Sequence, residues 1–421
     1  MGSAQRKAVA ARSPHLLYFS DHRERESPVR GPFATGHGAR RASAMEITLG
    51  KESEFGDIVD FGNYVFYNID FPTFLPKLYT DPRMARHHYL IKEEGRIKAA
   101  VGSYPLNLRV MGEGLKVKGI GMVSVHRYSR GKGYMTACMG RAMDDMRAEG
   151  VDLAVLGGNR QRYEYFGFTP GGMKVTGTLR GNNVAHLPFD LYGGYTYRKV
   201  ESGDSGDIKA FTAMNNAQPC ASVRREDEFF AIASSWSSRL YAVIKDAGAV
   251  IGYLIASNDS KQVHEVALSD PSLINGVVAG FFKSAGCAEL TVTFPPFQTE
   301  EISRFDLICN DCCKIEHSCN VNVLNYGKVI LAFMRLKQLM CGGLMDGVFR
   351  LRVEGRGAYE IGVSGGEAYV ADSAGPYDRE MGHLEATRFL FAPSSFLINA
   401  GNPVVRDWFP LPLCFHRMDN V

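Results

Sequence analysis

The 421-residue chain contains no run of 18 apolar residues, so no segment reads as a membrane-spanning helix. It lacks the Walker pattern, in which Gly is followed after four residues by Gly-Lys-Ser/Thr, and this removes the common P-loop nucleotide site. The dinucleotide fingerprint Gly-x-Gly-x-x-Gly is missing too: Gly131-Lys132-Gly133 begins such a motif, but Thr136 stands where its third glycine belongs. Neither sign of charge is in large excess, with 48 Lys/Arg against 45 Asp/Glu. Residues 1–44 hold eight of the cations and three of the anions, which leaves 40 against 42 in the remainder. Such a body is not built for nucleic acid. No secretory signal is evident and the nine cysteines are odd in number, so a disulfide framework is not expected and a reducing cytoplasm is.

Five residues of metal-ligand type, Cys309, Cys312, Cys313, His317 and Cys319, crowd eleven positions. Structural zinc sites usually pair two knuckles farther apart, and a strand over Lys314–Val323 would send neighbouring ligands to opposite faces. No metal is expected, and the thiols are read as small buried hydrophobes.

At 45% hydrophobic and 22% charged, the composition is that of an ordinary globular chain, long enough for two to three domains. Residues 1–44 are rich in Arg, Ser, Ala, Gly and His and lack periodicity, which reads as disorder. Asp21, Glu24 and Glu26 argue against a transit peptide, and Arg6 breaks the N-myristoylation pattern. The functional chain is expected to begin near Met45, where a strand opens, with residues 1–44 a start-site artefact.

The most informative stretch is Met122-Val123-Ser124-Val125-His126-Arg127-Tyr128-Ser129-Arg130-Gly131-Lys132-Gly133-Tyr134-Met135. An apolar strand enters a basic glycine turn, and a helical pattern leaves it. The free N–H groups of a first helical turn and the helix dipole favour an anion there. Gly131 and Gly133 let the backbone approach without a Cβ, while Arg130 and Lys132 add charge. This predicts a site for a phosphorylated ligand, although an ordinary strand–helix turn can also be basic.

Downstream, Met135, Cys138, Met139, Ala142, Met143 and Met146 recur at helical spacing and read as a core face that ends before Gly150. A short buried strand follows over Val151–Gly158, then a helix over Asn159–Phe166 that leads into Tyr163-Glu164-Tyr165-Phe166-Gly167-Phe168. Upstream, His88–Lys92, Ile97–Met111 and Leu115–Val125 read as strands, and Phe61–Tyr79 as two short helices broken at Pro72 and Pro76.

Arg130, Gly133 and Met135 occupy the positions of the Arg/Gln-x-x-Gly-x-Gly/Ala turn, and this stretch resembles motif A of the GNAT acyltransferases; Met135 departs from the usual Gly or Ala. The Tyr163–Phe168 sequence resembles the Tyr-x-x-Phe-Gly-Phe/Tyr end of that family's next helix. The resemblance implies an α+β chain of mixed sheets and helices that binds acetyl-CoA as cosubstrate. The pyrophosphate would lie on Arg130, Gly131, Lys132, Gly133, Tyr134 and Met135. The pantetheine would lie along Met122, Val123 and Val125 and beside Gly158, with backbone N–H groups of that strand polarising the thioester oxygen.

The remainder divides in two. Residues 200–322 repeat an order of strands, helix and strand, with expected strands at Ser238–Lys245, Val250–Ser257 and Ala288–Phe294 and a helix at Pro271–Ser284. Asp270 is a good N-cap before Pro271, and an acidic cap repels a pyrophosphate, so no CoA site is expected there. Residues 323–421 place a helix at Tyr326–Met340, strands at Gly347–Val353, Ala358–Ser364 and Glu367–Ala371, and a helix at His383–Phe391. This order resembles a sterol carrier protein-like domain. A catalytic GNAT domain at 45–199, a second GNAT-like domain at 200–322 and that domain at 323–421 together resemble the Eis-like (enhanced intracellular survival) acetyltransferases.

The tail Asp407–Val421 is apolar up to its last few residues, unlike most termini, and is expected to dock. The resemblance implies that the carboxylate of Val421 is the general base on the acceptor amine and that Tyr163 is the general acid for the leaving thiolate. A phenol near pKa 10 suits that task. The acceptor would be a primary amine, with lysine side chains, polyamines and aminoglycosides all open, and Asp70 and its aromatic neighbours are candidates to shape its pocket. The resemblance also implies a homo-oligomer, a hexamer among the forms. The competing readings are a lipid or hydrophobic-ligand carrier and a CoA-binding scaffold without turnover.

Overall fold

The computed structural model describes residues 45–67, 69–246, 248–397 and 401–421. The disorder expected for residues 1–44 therefore lies outside the described residues. The architecture is α+β, as expected: three sheets of eight, seven and four strands carry the helices.

The first sheet holds the glycine turn. Its strands are β1 (Ile47–Leu49), β2 (His88–Glu93), β3 (Arg96–Val110), β4 (Glu113–Val125), β5 (Leu153–Leu156) and β6 (Thr169–Gly171). The segment Cys319–Val323 lies between β5 and β6, and Cys220–Ser222 adds to β3. All neighbours are antiparallel except β4 and β5, whose parallel pairing runs from Val117↔Leu153 to Ile120↔Leu156 and stops there. β4 continues to Val125 without β5, so the sheet opens at that point.

Helices α1 (Phe55–Val65), α2 (Phe71–Phe74) and α3 (Pro76–Tyr79) cover one face, and α4 (Tyr134–Ala148) covers the other. The expected pair of helices over 61–79 is thus a set of three that starts earlier. Pro72 sits in the first turn of α2 rather than breaking a helix, because a proline lacks only an N–H that a first turn leaves unpaired, whereas Pro76 opens α3 just after α2 ends at Phe74, the break expected there. α4 buries Cys138, Met139, Ala142, Met143 and Met146, the face read from the sequence.

The second sheet runs Lys314–Glu316, Lys174–Arg180, Glu289–Phe294, Gln262–Leu268, Ala249–Ser257, Ser238–Lys245 and Tyr195–Lys199. It repeats the plan of the first, with one parallel pair that holds only at Gln262↔Thr291 and Val263↔Val292. Asp270 caps as expected, its carboxylate accepting the N–H of Ser272. The strand expected over Lys314–Val323 is broken: Lys314–Glu316 pairs with Lys174–Arg180, while Cys319–Val323 crosses to the first sheet. A continuous β pattern cannot reveal that its two halves pair in different sheets.

The third sheet, Glu367–Asp372, Gly357–Ser364, Gly347–Val353 and Arg379–Met381, packs with the helices Tyr326–Cys341 and His383–Phe391. The tail binds three cores in turn. Trp408, Phe409, Leu411, Leu413, Cys414 and Phe415 enter the core built on helix Tyr326–Cys341. Met418 enters a second core with Phe211, Phe229 and Tyr253, and Val421 packs on a third with Phe71 and Tyr104.

Candidate active site

The opening between β4 and β5 is prepared by a bulge. Ala100 pairs with Ser124 and Gly102 with Gly121, so Met122 and Val123 together face the single residue Val101. Met122 takes φ 49°, a conformation a side chain adopts only at a cost. The extra residue reverses the facing of everything after it. Ile120 faces the α4 core, while Gly119, Gly121 and Met122 face the α1–α3 side; Val123 and Val125 then turn to the α4 core. Two glycines and a kink therefore clear the α1–α3 face of β4 where β5 departs.

The turn after β4 is shaped as the sequence predicts. His126 Nδ1 accepts the N–H of Tyr128, and Arg127–Ser129 form one 3₁₀ turn. Gly131 and Gly133 have φ 79° and 80°, and open space lies where a Cβ would project. α4 starts at Tyr134, so its first N–H groups point into that space without helical partners. Arg130, Gly131, Lys132 and Gly133 are exposed, and Met135 is half-buried against the α4 core. An acidic group unforeseen in the sequence stands beside the turn: Glu93 at the end of β2 pairs with Lys132 at 2.9 Å and accepts from the Tyr134 hydroxyl. These bonds hold the Glu93 carboxyl below its usual range.

Tyr163 is 5% exposed and packs among Leu156, Met139 and Phe168. A Cβ on Gly158, which has φ 120°, would come within 3.0 Å of its ring, so the glycine gives the phenol room at the end of β5. Burial raises the pKa of this hydroxyl, against a hydrogen bond from Arg162. Tyr165 is exposed.

The chain terminus lies on the other face. A Cβ on Gly119 would be 2.5 Å from Val421 Cγ2, and one on Gly121 would be 3.0 Å from the terminal carboxyl carbon. Tyr163 and Val421 therefore flank the same opening from opposite sides of the sheet. Tyr104 packs beside Gly121, and its hydroxyl joins a buried chain: Tyr79 Oη at 2.7 Å and His88 Nε2 at 2.8 Å. Around them, Phe61, Phe71 and Tyr79 are core, whereas Tyr64 and Tyr67 are exposed. Tyr64 stacks on His126 at 5.1 Å between ring centroids. Asp70 is exposed and accepts from the Thr73 hydroxyl.

The residues that hold the tail were not legible in the sequence. Arg224, 2% exposed, forks onto Glu265 with Nη1–Oε1 2.7 Å and Nη2–Oε2 2.8 Å. Its Nε reaches Asp419 Oδ1 at 3.1 Å. Tyr253 donates to Glu265 at 2.7 Å. Burial opposes ionisation of Glu265, yet the guanidinium holds its carboxyl well below the ordinary value. Lys77 donates to the carbonyls of Met418 at 2.5 Å and Asn420 at 2.6 Å, and Trp236 Nε1 donates to the latter at 3.2 Å. Burial lowers the Lys77 ammonium to about 7, against the pull of Asp419.

Among the cysteine-cluster residues, Cys312 and His317 are exposed and Cys319 lies in the first sheet. Cys309 and Cys313 meet Asp306 instead, with ligand-type atoms within 4.8 Å of one another. Among the described residues, no helix is long and apolar enough to cross a membrane.

A sheet opened at one parallel pair, with a glycine turn and helix N-terminus at its mouth, defines an acyltransferase-type domain. Residues 46–171 match the family model of the acetyltransferase (GNAT) domain. Solved structures agree in fold over most of the chain. A GCN5-related N-acetyltransferase from Anabaena variabilis has a TM-score of 0.63 at 12% identity, covering 88% of this chain and 98% of that one. Eis1 from Mycobacterium abscessus has a TM-score of 0.60 at 13% identity, over 88% and 97%. A GCN5-related N-acetyltransferase from Kribbella flavida has 0.59 at 14%, over 86% and 93%. No curated protein matches the sequence.

Proposed function

We propose that the protein is an acetyl-CoA-dependent N-acetyltransferase acting on a primary amine. The observation that carries this reading is the seating of the chain terminus, Val421, on Gly119 and Gly121, where β4 and β5 part. A carboxylate at that point, opposite a buried phenol, supplies the two proton-transfer groups that aminolysis of a thioester requires.

The cosubstrate fits the turn. The N–H groups at the start of α4, the open space before Gly131 and Gly133 and the charge of Arg130 suit a pyrophosphate. Lys132 would divide its charge between the phosphates and Glu93. Backbone of Met122, Val123 and Val125, with Gly158 across the opening, would hold the pantetheine arm. Backbone N–H groups of this bulged segment would polarise the thioester oxygen.

The Val421 carboxylate takes a proton from the acceptor ammonium and frees the nitrogen lone pair. The amine attacks the thioester carbonyl, a C–N bond forms and the C–S bond breaks. Tyr163 delivers its proton to the departing sulfur, the new amide nitrogen gives up its surplus proton, which restores the phenol, and the Val421 carboxyl returns its own proton to solvent. No covalent enzyme intermediate is needed. The Cys138 thiol is fully buried and burial pushes its pKa up to about 12, which makes it a poor nucleophile.

The remaining parts of the reading are an Eis-like layout, with residues 45–199 and 200–322 as paired GNAT domains and 323–421 as a sterol carrier protein-like domain that delivers the tail. A homo-oligomer in the cytoplasm, acting on a small amine or a lysine side chain, completes it. The missing basic turn before Ser269-Asp270-Pro271 supports a second domain without its own CoA site.

Calorimetric titration of residues 45–421 with acetyl-CoA tests the reading. Micromolar binding, lost when Arg130→Ala and Lys132→Ala are combined, is expected. Absence of binding overturns it and turns attention to hydrophobic ligands of the carrier class.

A further inference from the structure

The last residues are held by buried charges that acyl transfer does not itself require. Arg224, Glu265 and Asp419 are at most 4% exposed, and the guanidinium joins both carboxylates. An apolar trio of similar volume often serves stability as well or better, so such an arrangement is best understood through the geometry it fixes. That geometry is local to the chain end. Arg224 on a loop grips the Asp419 side chain from the second sheet's side. Lys77 on α3 grips the carbonyls on either side of it, Met418 and Asn420. Trp236 adds a second donor to Asn420 O. Residues 418–420 are thus pinned from separate elements, and Val421 is the next residue. Earlier in the tail, Lys337 plays a similar part on the carbonyls of Trp408 and Pro410 at 2.8 and 3.0 Å.

We infer that Lys77, with the Arg224–Asp419 pair behind it, is a positioning residue that fixes the Val421 carboxylate at the opening between β4 and β5. The inference rests on the reading of Val421 as base. A terminal carboxylate on a free peptide end has several rotatable bonds, and a displacement of about 1 Å at a reacting group can cost roughly 10²-fold in rate. Two hydrogen bonds to main-chain carbonyls restrict it in a way apolar packing alone does not, because they fix direction as well as depth.

The test uses the full chain with Lys77→Met, which keeps the aliphatic stem and removes every donor. Carboxypeptidase release of Val421 reads the hold without any catalysis and is expected to quicken roughly tenfold or more. CoA formation from acetyl-CoA with a panel of primary amines is expected to lose roughly 10²-fold in kcat, with acetyl-CoA affinity unchanged by calorimetry. In a chain lacking Val421, Lys77→Met is expected to cause no further loss of kcat. Unchanged tail release in Lys77→Met overturns the inference, and so does an equal loss of kcat with and without Val421. Full kcat after deletion of Val421 alone sinks the base reading instead, and the protease readout then reports the grip separately. If Lys77→Met does not fold, Trp236→Phe removes one donor to Asn420 O at little change of volume. It should shift both readouts in the same direction, and no shift overturns the inference.

Discussion

Adding one methyl group at Gly119 should disable the enzyme without unfolding it. The Cβ of Gly119→Ala would stand 2.5 Å from Val421 Cγ2 and 3.3 Å from Cγ1. Carbon atoms pack at about 3.5–4.0 Å, so Val421 must withdraw by roughly 1 Å or more. Gly119 lies inside β4, paired with Tyr104 on β3 and Val155 on β5, and its backbone is in the ordinary extended range, so alanine adds no backbone strain. Displacement of the proposed general base by that distance predicts a fall in kcat of roughly 10²-fold, equal to about 2.7 kcal/mol of transition-state stabilisation. Acetyl-CoA affinity should hold, because the turn at Gly131 and Gly133 is not touched. Steady-state CoA release gives kcat, calorimetry gives the affinity, and a thermal melt shows that the fold persists. Wild-type kcat in Gly119→Ala would refute the placement of the base. So would an equal loss when the substitution is made in a chain already lacking Val421, since the methyl group would then act through something other than the tail.

Arg224→Met leaves Glu265 and Asp419 buried without their cation and should cost about 3–5 kcal/mol by denaturant or thermal unfolding; Arg225→Met, at an exposed pair with Asp227, should leave the same melt unchanged. Tyr163→Phe should lower kcat by roughly 10²–10⁴ at unchanged acetyl-CoA affinity. Burial raises the phenol's pKa, so the wild-type rate should stay on its plateau through neutral pH and fall only in the alkaline range. An unaltered kcat in the variant would remove the acid. His88 is fully buried, and burial lowers its pKa from 6.5 to about 4. The folded state then binds fewer protons than the unfolded state between those values. Its contribution, about 3 kcal/mol, should be intact above pH 6.5 and be lost as pH falls towards 4. Urea titrations at pH 7 and 4.5 measure the slope, which His88→Phe should flatten.

Legibility in the sequence followed the range of the interactions. The glycine turn, the methionine face of α4 and the strands Gly347–Val353 and His88–Glu93 were readable, because each is specified by neighbours within a few residues. The bulge at Met122 was not, since nothing in Gly121-Met122-Val123 marks which residue is extra until β3 supplies Val101 as its single partner. The nearness of Asp306 to Cys309 and Cys313 was not legible for the same reason: only the fold brings its carboxylate beside the two thiols.

The sequence by itself determined a basic glycine turn at residues 130–135, a phenol-bearing motif about 30 residues on and an apolar tail that had to be buried. Local backbone preference and hydrophobic periodicity suffice for each. Only the tertiary structure decided where the tail ends. It set Val421 on two glycines of β4, opposite Tyr163, and brought Arg224, Lys77 and Trp236 from separate elements onto residues 418–420 just before it. A buried charge is tolerated only beside its partner, and partners about 200 to 340 residues apart in the chain become neighbours through folding alone.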